Sequence, residues 1–203
     1  MASRRYWLLL VLLLFLIAIS PDASADSAES DQHRTDHKWF LSLYGGPHAH
    51  ETLHDIFTLD ATYSDGNYVA VGALAREVYR YKQWVSAEVE GQIGRHFGTD
   101  VHLWEFVGLM FGRWHPFPWD RYIDTSFAFG TGLSYYTDVS QIELERHEEA
   151  QQFLGYLAFE LTFGLPQYPR GNFMLRIHHR SGANNTTGES GSNCLCAGLK
   201  FAF

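Results

Sequence analysis

The chain has 203 residues, 15 Lys and Arg against 23 Asp and Glu, and a formal net charge of −8. That balance excludes electrostatic binding of nucleic acid and any general attraction to anionic lipid headgroups. With 46 % hydrophobic and 16 % aromatic residues the chain can bury one domain, and two cysteines are too few for a disulfide scaffold.

Residues 1–25 have the three parts of a secretory signal: Arg4 and Arg5, the apolar run from Trp7 to Ile19, then Ala23-Ser24-Ala25 before a cleavage point. The run is shorter than the roughly 20 residues a transmembrane helix wants. Cleavage removes Arg4, Arg5 and Asp22, a net +1, so the formal charge goes from −8 to −9 with Asp26 as first residue. Residues 26–37 carry no apolar period and read as a flexible lead-in, and 38–203 as the folded domain.

From there the chain alternates and breaks repeatedly, without a helical stripe. Eight strand candidates follow, near 38–46, 67–79, 83–94, 101–113, 121–135, 153–164, 173–181 and 194–203. In the third, Val85, Ala87, Val89, Gly91 and Ile93 oppose Ser86, Glu88, Glu90 and Gln92; the last repeats the pattern with Leu195, Ala197, Leu199, Phe201 and Phe203 on one face. An even number of strands, most near or above the ~9–11 residues needed to span, fits an all-β fold: an eight-stranded antiparallel transmembrane β-barrel of the outer membrane.

A lipocalin-like barrel shows the same alternation with its apolar face inside. Aromatic clusters at the strand ends (Trp104, Trp114, Trp119, Tyr122, Tyr135, Tyr136) and a final strand closing on Phe203 favour the membrane barrel. With a periplasmic amino terminus, loops 47–66, 95–100, 136–152 and 182–193 face outward. The turns near 80–82, 114–120 and 165–172 then take most of the prolines, where a missing N–H harms no ladder.

Several residues have ordinary readings. Cys194 and Cys196, two apart on one strand face, are poorly placed to bond to each other. His48-Ala-His50 with His54 has ligand-like spacing but no supporting frame, so these read as solvated loop histidines and no metal is expected. Glu88, Glu90, Arg176 and Arg180 read as ion pairs filling the lumen of a small barrel. Loop 136–152, with Glu143, Glu145, Glu148 and Glu149, reads as a solvated charge run, with a short helix as the alternative.

Strand seven carries the chemistry. Phe173, Leu175, Ile177, His179 and Ser181 share one face; Met174, Arg176, His178 and Arg180 share the other. With the basic set in the lumen, His179 and Ser181 stand side by side on the lipid wall, the minimum geometry for a base-activated serine nucleophile. Ser181 lies eight residues beyond Phe173. At ~3.3 Å per residue and a tilt near 45° that is a height of roughly 19 Å in an apolar band of about 25 Å, near the interface where lipid acyl esters lie. Asn193 has outward parity on strand eight and can orient the histidine; Glu189, in the preceding loop, is the charged alternative. The backbone N–H groups of Gly182 and Ala183 are candidate oxyanion donors.

His179-Arg-Ser181, the polar loop with Gly191-Ser-Asn193, the closing strand Ala197-Gly-Leu-Lys-Phe-Ala-Phe203, and upstream Gly130-Thr-Gly-Leu-Ser-Tyr135 and Phe159-Glu-Leu-Thr-Phe-Gly-Leu-Pro166 resemble the PagL-type lipid A 3-O-deacylase family. The resemblance covers roughly the carboxyl-terminal half. It implies a multi-pass barrel of the bacterial outer membrane whose His-x-Ser dyad, here His179 and Ser181, hydrolyses the ester-linked 3-hydroxyacyl chain at position 3 of lipid A or lipopolysaccharide, a carboxylic ester hydrolase without cofactor. The family's acid typically stands twelve residues beyond the serine, a place held here by Asn193, and Gly182 replaces the asparagine usual after the serine. The outer membrane and lipid A are the expected partners; a homodimer is compatible with this reading, and a non-catalytic structural or adhesion barrel is the alternative.

Overall fold

A computed structural model describes residues 39–50, 53–140, 144, 151–182 and 191–203. The signal and lead-in segments, most of the 136–152 charge run, Ala183 and Glu189 lie outside the described residues. Eight strands follow in order: β1 (Trp39–Ala49), β2 (Tyr63–Tyr81), β3 (Val85–Gly98), β4 (His102–Trp114), β5 (Asp124–Tyr136), β6 (Phe153–Gly164), β7 (Gly171–Ser181) and β8 (Gly191–Ala202). One short helix, α1 (Leu53–Thr58), lies between β1 and β2. Every strand pairs antiparallel with its sequence neighbours, and β8 pairs with β1, so the sheet closes on itself as a barrel without edges.

All eight expected strands form. β2 begins at Tyr63, inside the segment expected to be a loop, and β1 continues through Ala49. β8 starts at Gly191, so Asn193 belongs to the ladder. The no-disulfide expectation also holds: Cys194 and Cys196 are not bridged and both are buried.

The two faces follow the parity of the sequence. The outside is apolar, with Leu41, Leu43, Leu74, Val89, Met110, Phe129, Leu161, Leu175 and Leu199 all exposed. Trp39, Tyr79, Tyr81, Trp84 and Trp114 stand toward the short-turn end; Tyr68, Phe97, Trp104, Tyr135 and Phe153 stand toward the other. An apolar belt between aromatic rims is the surface a bilayer requires. A lipocalin-like barrel has the reverse arrangement.

Inside, side chains fill the lumen. Arg113 bonds Glu88 and Glu160, each at 2.6 Å; Arg176 bonds Glu90 at 2.6 Å and also Glu160; Lys200 bonds Glu88 at 2.8 Å. Three cations thus face three carboxylates, each buried, and the charges cancel. Arg180 bonds Ser134 Oγ and the backbone oxygens of Gln151 and Gln152, tying β7 to the start of β6.

A second layer lies closer to the long connections. His48 Nε2 meets His96 Nδ1 at 3.0 Å, His96 Nε2 meets Glu105 Oε2 at 2.9 Å, and His178 Nε2 lies 2.8 Å from the same oxygen. His48 is therefore not the solvated loop histidine the sequence leads one to expect. β1 runs three residues further than its alternation showed, and its parity turns His48 inward to 2 % exposure, whereas His50 and His54 are exposed. Glu105 also accepts from Ser134 at 2.6 Å, and Tyr156 Oη lies 3.0 Å from His178 Nδ1.

Candidate active site

β7 brings the two candidate residues together as its period of two dictates. His179 and Ser181 project from one face, with His178 and Arg180 buried on the other. His179 Nε2 stands 2.9 Å from Ser181 Oγ, and His179 Nδ1 stands 2.5 Å from Asn193 Oδ1. The second contact is set by register, because Asn193 is the direct β8 partner of His179. An asparagine oxygen can only accept, so Nδ1 carries the proton and Nε2 keeps the lone pair that can take the hydroxyl proton of Ser181. Of the sequence-expected site residues, the structure brings His179, Ser181 and Asn193 together; Gly182 follows the end of β7 directly.

The relay sits on the outside of the barrel but is not bare. Ala49 pairs with Asn193 and shares its outward parity, yet Ala49 is 0 % and Asn193 6 % exposed. The β1–β2 connection passes over this side of the wall. Phe57 of α1 packs edge-on against Phe159 at 5.0 Å between ring centroids, and Phe159 is an outward residue of β6, three strands from β1. By the shorter way round, the segment crosses outside β8 and β7, with Ile56 buried at 3 % against the wall. His54, Asp55 and Asp60 travel with it, and such polar groups belong at a membrane interface rather than in hydrocarbon. Sequence reading missed α1; a six-residue helix inside a thirteen-residue connection leaves no detectable period.

The barrel is similar to that of the outer membrane enzyme PagL, at a TM-score of 0.53 and 8 % identity over 81 % of this chain and 99 % of that one. It is similar also to Neisserial surface protein A, at a TM-score of 0.50 and 9 % identity over 81 % and 96 %. The fold is that of the small outer-membrane barrels. Identity this low carries the architecture and no more. No protein-family model matches the sequence, and no curated protein matches it. Function has to be argued from the wall residues themselves.

Proposed function

We propose that the chain is a serine esterase of the bacterial outer membrane that removes the ester-linked 3-hydroxyacyl chain at position 3 of lipid A. The observation that carries this reading is the hydrogen-bonded series Asn193 Oδ1, His179 Nδ1, His179 Nε2, Ser181 Oγ on the outer wall at the end of β7. A structural or adhesion barrel has no need of an aligned base and hydroxyl there. Ser181 is the last residue of its strand, level with the outer interface, so an acyl ester reaches it without leaving the bilayer.

In the first step Ser181 Oγ adds to the ester carbonyl carbon while its proton passes to His179 Nε2. The oxyanion is met by the N–H groups of Gly182 and Ala183. Collapse breaks the bond to the sugar oxygen, which leaves with the proton from His179 and gives a free sugar hydroxyl and an acyl-serine. Water then gives its proton to His179, adds to the acyl carbon and releases the fatty acid, restoring Ser181. The neutral Asn193 fixes the tautomer without adding charge to the imidazolium.

The test is mass spectrometry of lipid A from cells expressing wild type or Ser181→Ala. Wild type alone should yield lipid A lacking one 3-hydroxyacyl chain. Equal loss in both, or in neither, overturns the serine mechanism and favours the non-catalytic barrel.

A further inference from the structure

Two imidazoles and a carboxylate meet in the lumen behind the wall that carries His179 and Ser181. β3 turns His96 inward, β4 turns Glu105 inward and β7 turns His178 inward, and all three are buried. β3 and β7 stand on opposite walls of the eight-stranded barrel, so the meeting is made across the lumen. His96 Nε2 and His178 Nε2 close on the same oxygen, Glu105 Oε2, at 2.9 and 2.8 Å. A ligand atom from each of the three residues lies within 4.8 Å of the other two. The His96 approach is a hydrogen bond. His178 Nε2 is out of line with the oxygen, and among the described residues this buried nitrogen has no hydrogen-bond partner. Leaving it so is costly, and a bound cation removes the cost.

We infer that His96, Glu105 and His178 bind a divalent transition-metal ion, zinc by the chemistry of the donors, which clamps β3 and β4 to β7 across the lumen. Two neutral imidazoles and one carboxylate are a donor set that zinc takes, with too few oxygens for calcium or magnesium. Zinc distances of ~2.0–2.1 Å in a tetrahedron set ligand atoms roughly 3.3 Å apart, so each nitrogen retreats from Oε2 by about 0.5 Å. Small rotations of the two rings supply that without moving the strands. The outer contacts already suit ligation, because a metal-bound imidazole needs an acceptor at its other nitrogen. His96 Nδ1 faces His48 Nε2 at 3.0 Å, and His178 Nδ1 faces Tyr156 Oη at 3.0 Å. Each ring can therefore carry its proton on Nδ1 and turn the Nε2 lone pair to the metal. His48 changes tautomer in step with His96, so no net proton leaves the layer. Ser134 holds the other oxygen of Glu105 at 2.6 Å.

A three-residue zinc site keeps a fourth position for water. Gly94 is the direct β3 partner of Glu105 and faces the lumen, and a Cβ built on it stands 3.5 Å from Glu105 Oε2, in ordinary contact. Glycine thus leaves space for one small group beside the carboxylate, which is where that water fits. Arg180 bonds Ser134 Oγ and already balances Glu105, so the loaded layer is cationic and the affinity is micromolar rather than that of a closed structural site. Position gives the ion its role. His178 precedes His179 in β7 and points to the opposite side of the sheet, so the metal braces the strand that presents His179 and Ser181 and touches neither. His48 enters through its contact with His96, not as one of a trio with the exposed His50 and His54.

The test uses the full chain refolded in micelles with a chelator, with cobalt(II) or with zinc, its folding checked by heat-modifiable gel mobility. Refolding with the metal present lets the ion enter before the barrel closes. In equilibrium dialysis wild type should take up a single ion at micromolar metal, and the cobalt form should show the visible bands of a four-coordinate ion. A chain carrying His50→Ala, His54→Ala and His102→Ala together should do the same, since those histidines are exposed. Glu105→Gln and His178→Gln should each bind at least about tenfold more weakly. Zinc should raise the urea midpoint of wild type in vesicles and leave that of Glu105→Gln unchanged. The X-ray absorption spectrum of the wild-type zinc form should require two imidazoles, a readout that stands even where a variant does not fold. No saturable uptake at micromolar metal, a spectrum without imidazole, or loss of the bands in the triple variant overturns the site. Equal uptake by wild type, Glu105→Gln and His178→Gln overturns it as well. None of these results bears on the esterase reading, which the Ser181→Ala lipid A profile tests separately.

Discussion

Replacing Asn193 separates an orienting role from a structural one. Its Oδ1 is 2.5 Å from His179 Nδ1 and the residue is 6 % exposed, so Asn193→Ala leaves a ring N–H facing a site with little water. An unsatisfied buried donor costs about 1–3 kcal/mol. Since that bond also holds the reactive tautomer, the cost falls on the transition state, and kcat should drop roughly 5- to 150-fold at 1.36 kcal/mol per decade. Asn193→Asp keeps the geometry and adds a charge: at about 4 Å and an effective dielectric of 20, a carboxylate attracts the imidazolium by ~4 kcal/mol before desolvation. Burial of the new carboxylate offsets much of this, so the Asp variant should hydrolyse at the wild-type rate or faster. Initial rates on lipid A, read by mass spectrometry on refolded protein, check both. An Asn193→Ala variant within twofold of wild type, beside an inactive Ser181→Ala, would falsify the orienting role and leave Asn193 as a ladder residue at the start of β8.

Two further outcomes test the scaffold. Arg176→Met removes the cation shared by Glu90 and Glu160 and should destabilise the barrel by about 3–5 kcal/mol, read as a lower urea midpoint in vesicles; an unchanged midpoint refutes the charge-balanced lumen. Met110→Arg places a charge on the mid-wall outer face and should cost about 2–4 kcal/mol in the same titration, while an effect no larger than that of an exposed water-facing site argues against lipid contact there.

Strand number, facing and the dyad were legible in the sequence because all three depend on a period of two within one strand. His179 and Ser181 needed only their spacing, and Asn193 needed one further parity count on β8. His48 was misread because Gly45, Gly46 and Pro47 interrupt the alternation of β1, so its last residues resemble a loop. The meeting of His96 with Glu105 and His178 depends on the relative slide of neighbouring strands. Slide is a property of the closed sheet, and alternation within one strand is silent about it. The docking of α1 on the wall was invisible for a similar reason, since Phe57 and Phe159 stand 102 positions apart in the sequence.

The lumen charges bear on how such a chain enters a bilayer. Glu88 and Lys200 are 112 residues apart, and Arg176 with Glu90 are 86 apart. Neither pair exists in a hairpin or a half-formed sheet. An open sheet lying in hydrocarbon would present Glu88, Glu90, Arg113, Glu160, Arg176 and Lys200 without their full set of partners, a state too costly to populate. The ion pairs therefore act as a gate on assembly: the strands must close before the polar face crosses the membrane, or cross it while that face remains wet. By the time the first strand meets the last, the wall that holds His179 and Ser181 is complete in a single event.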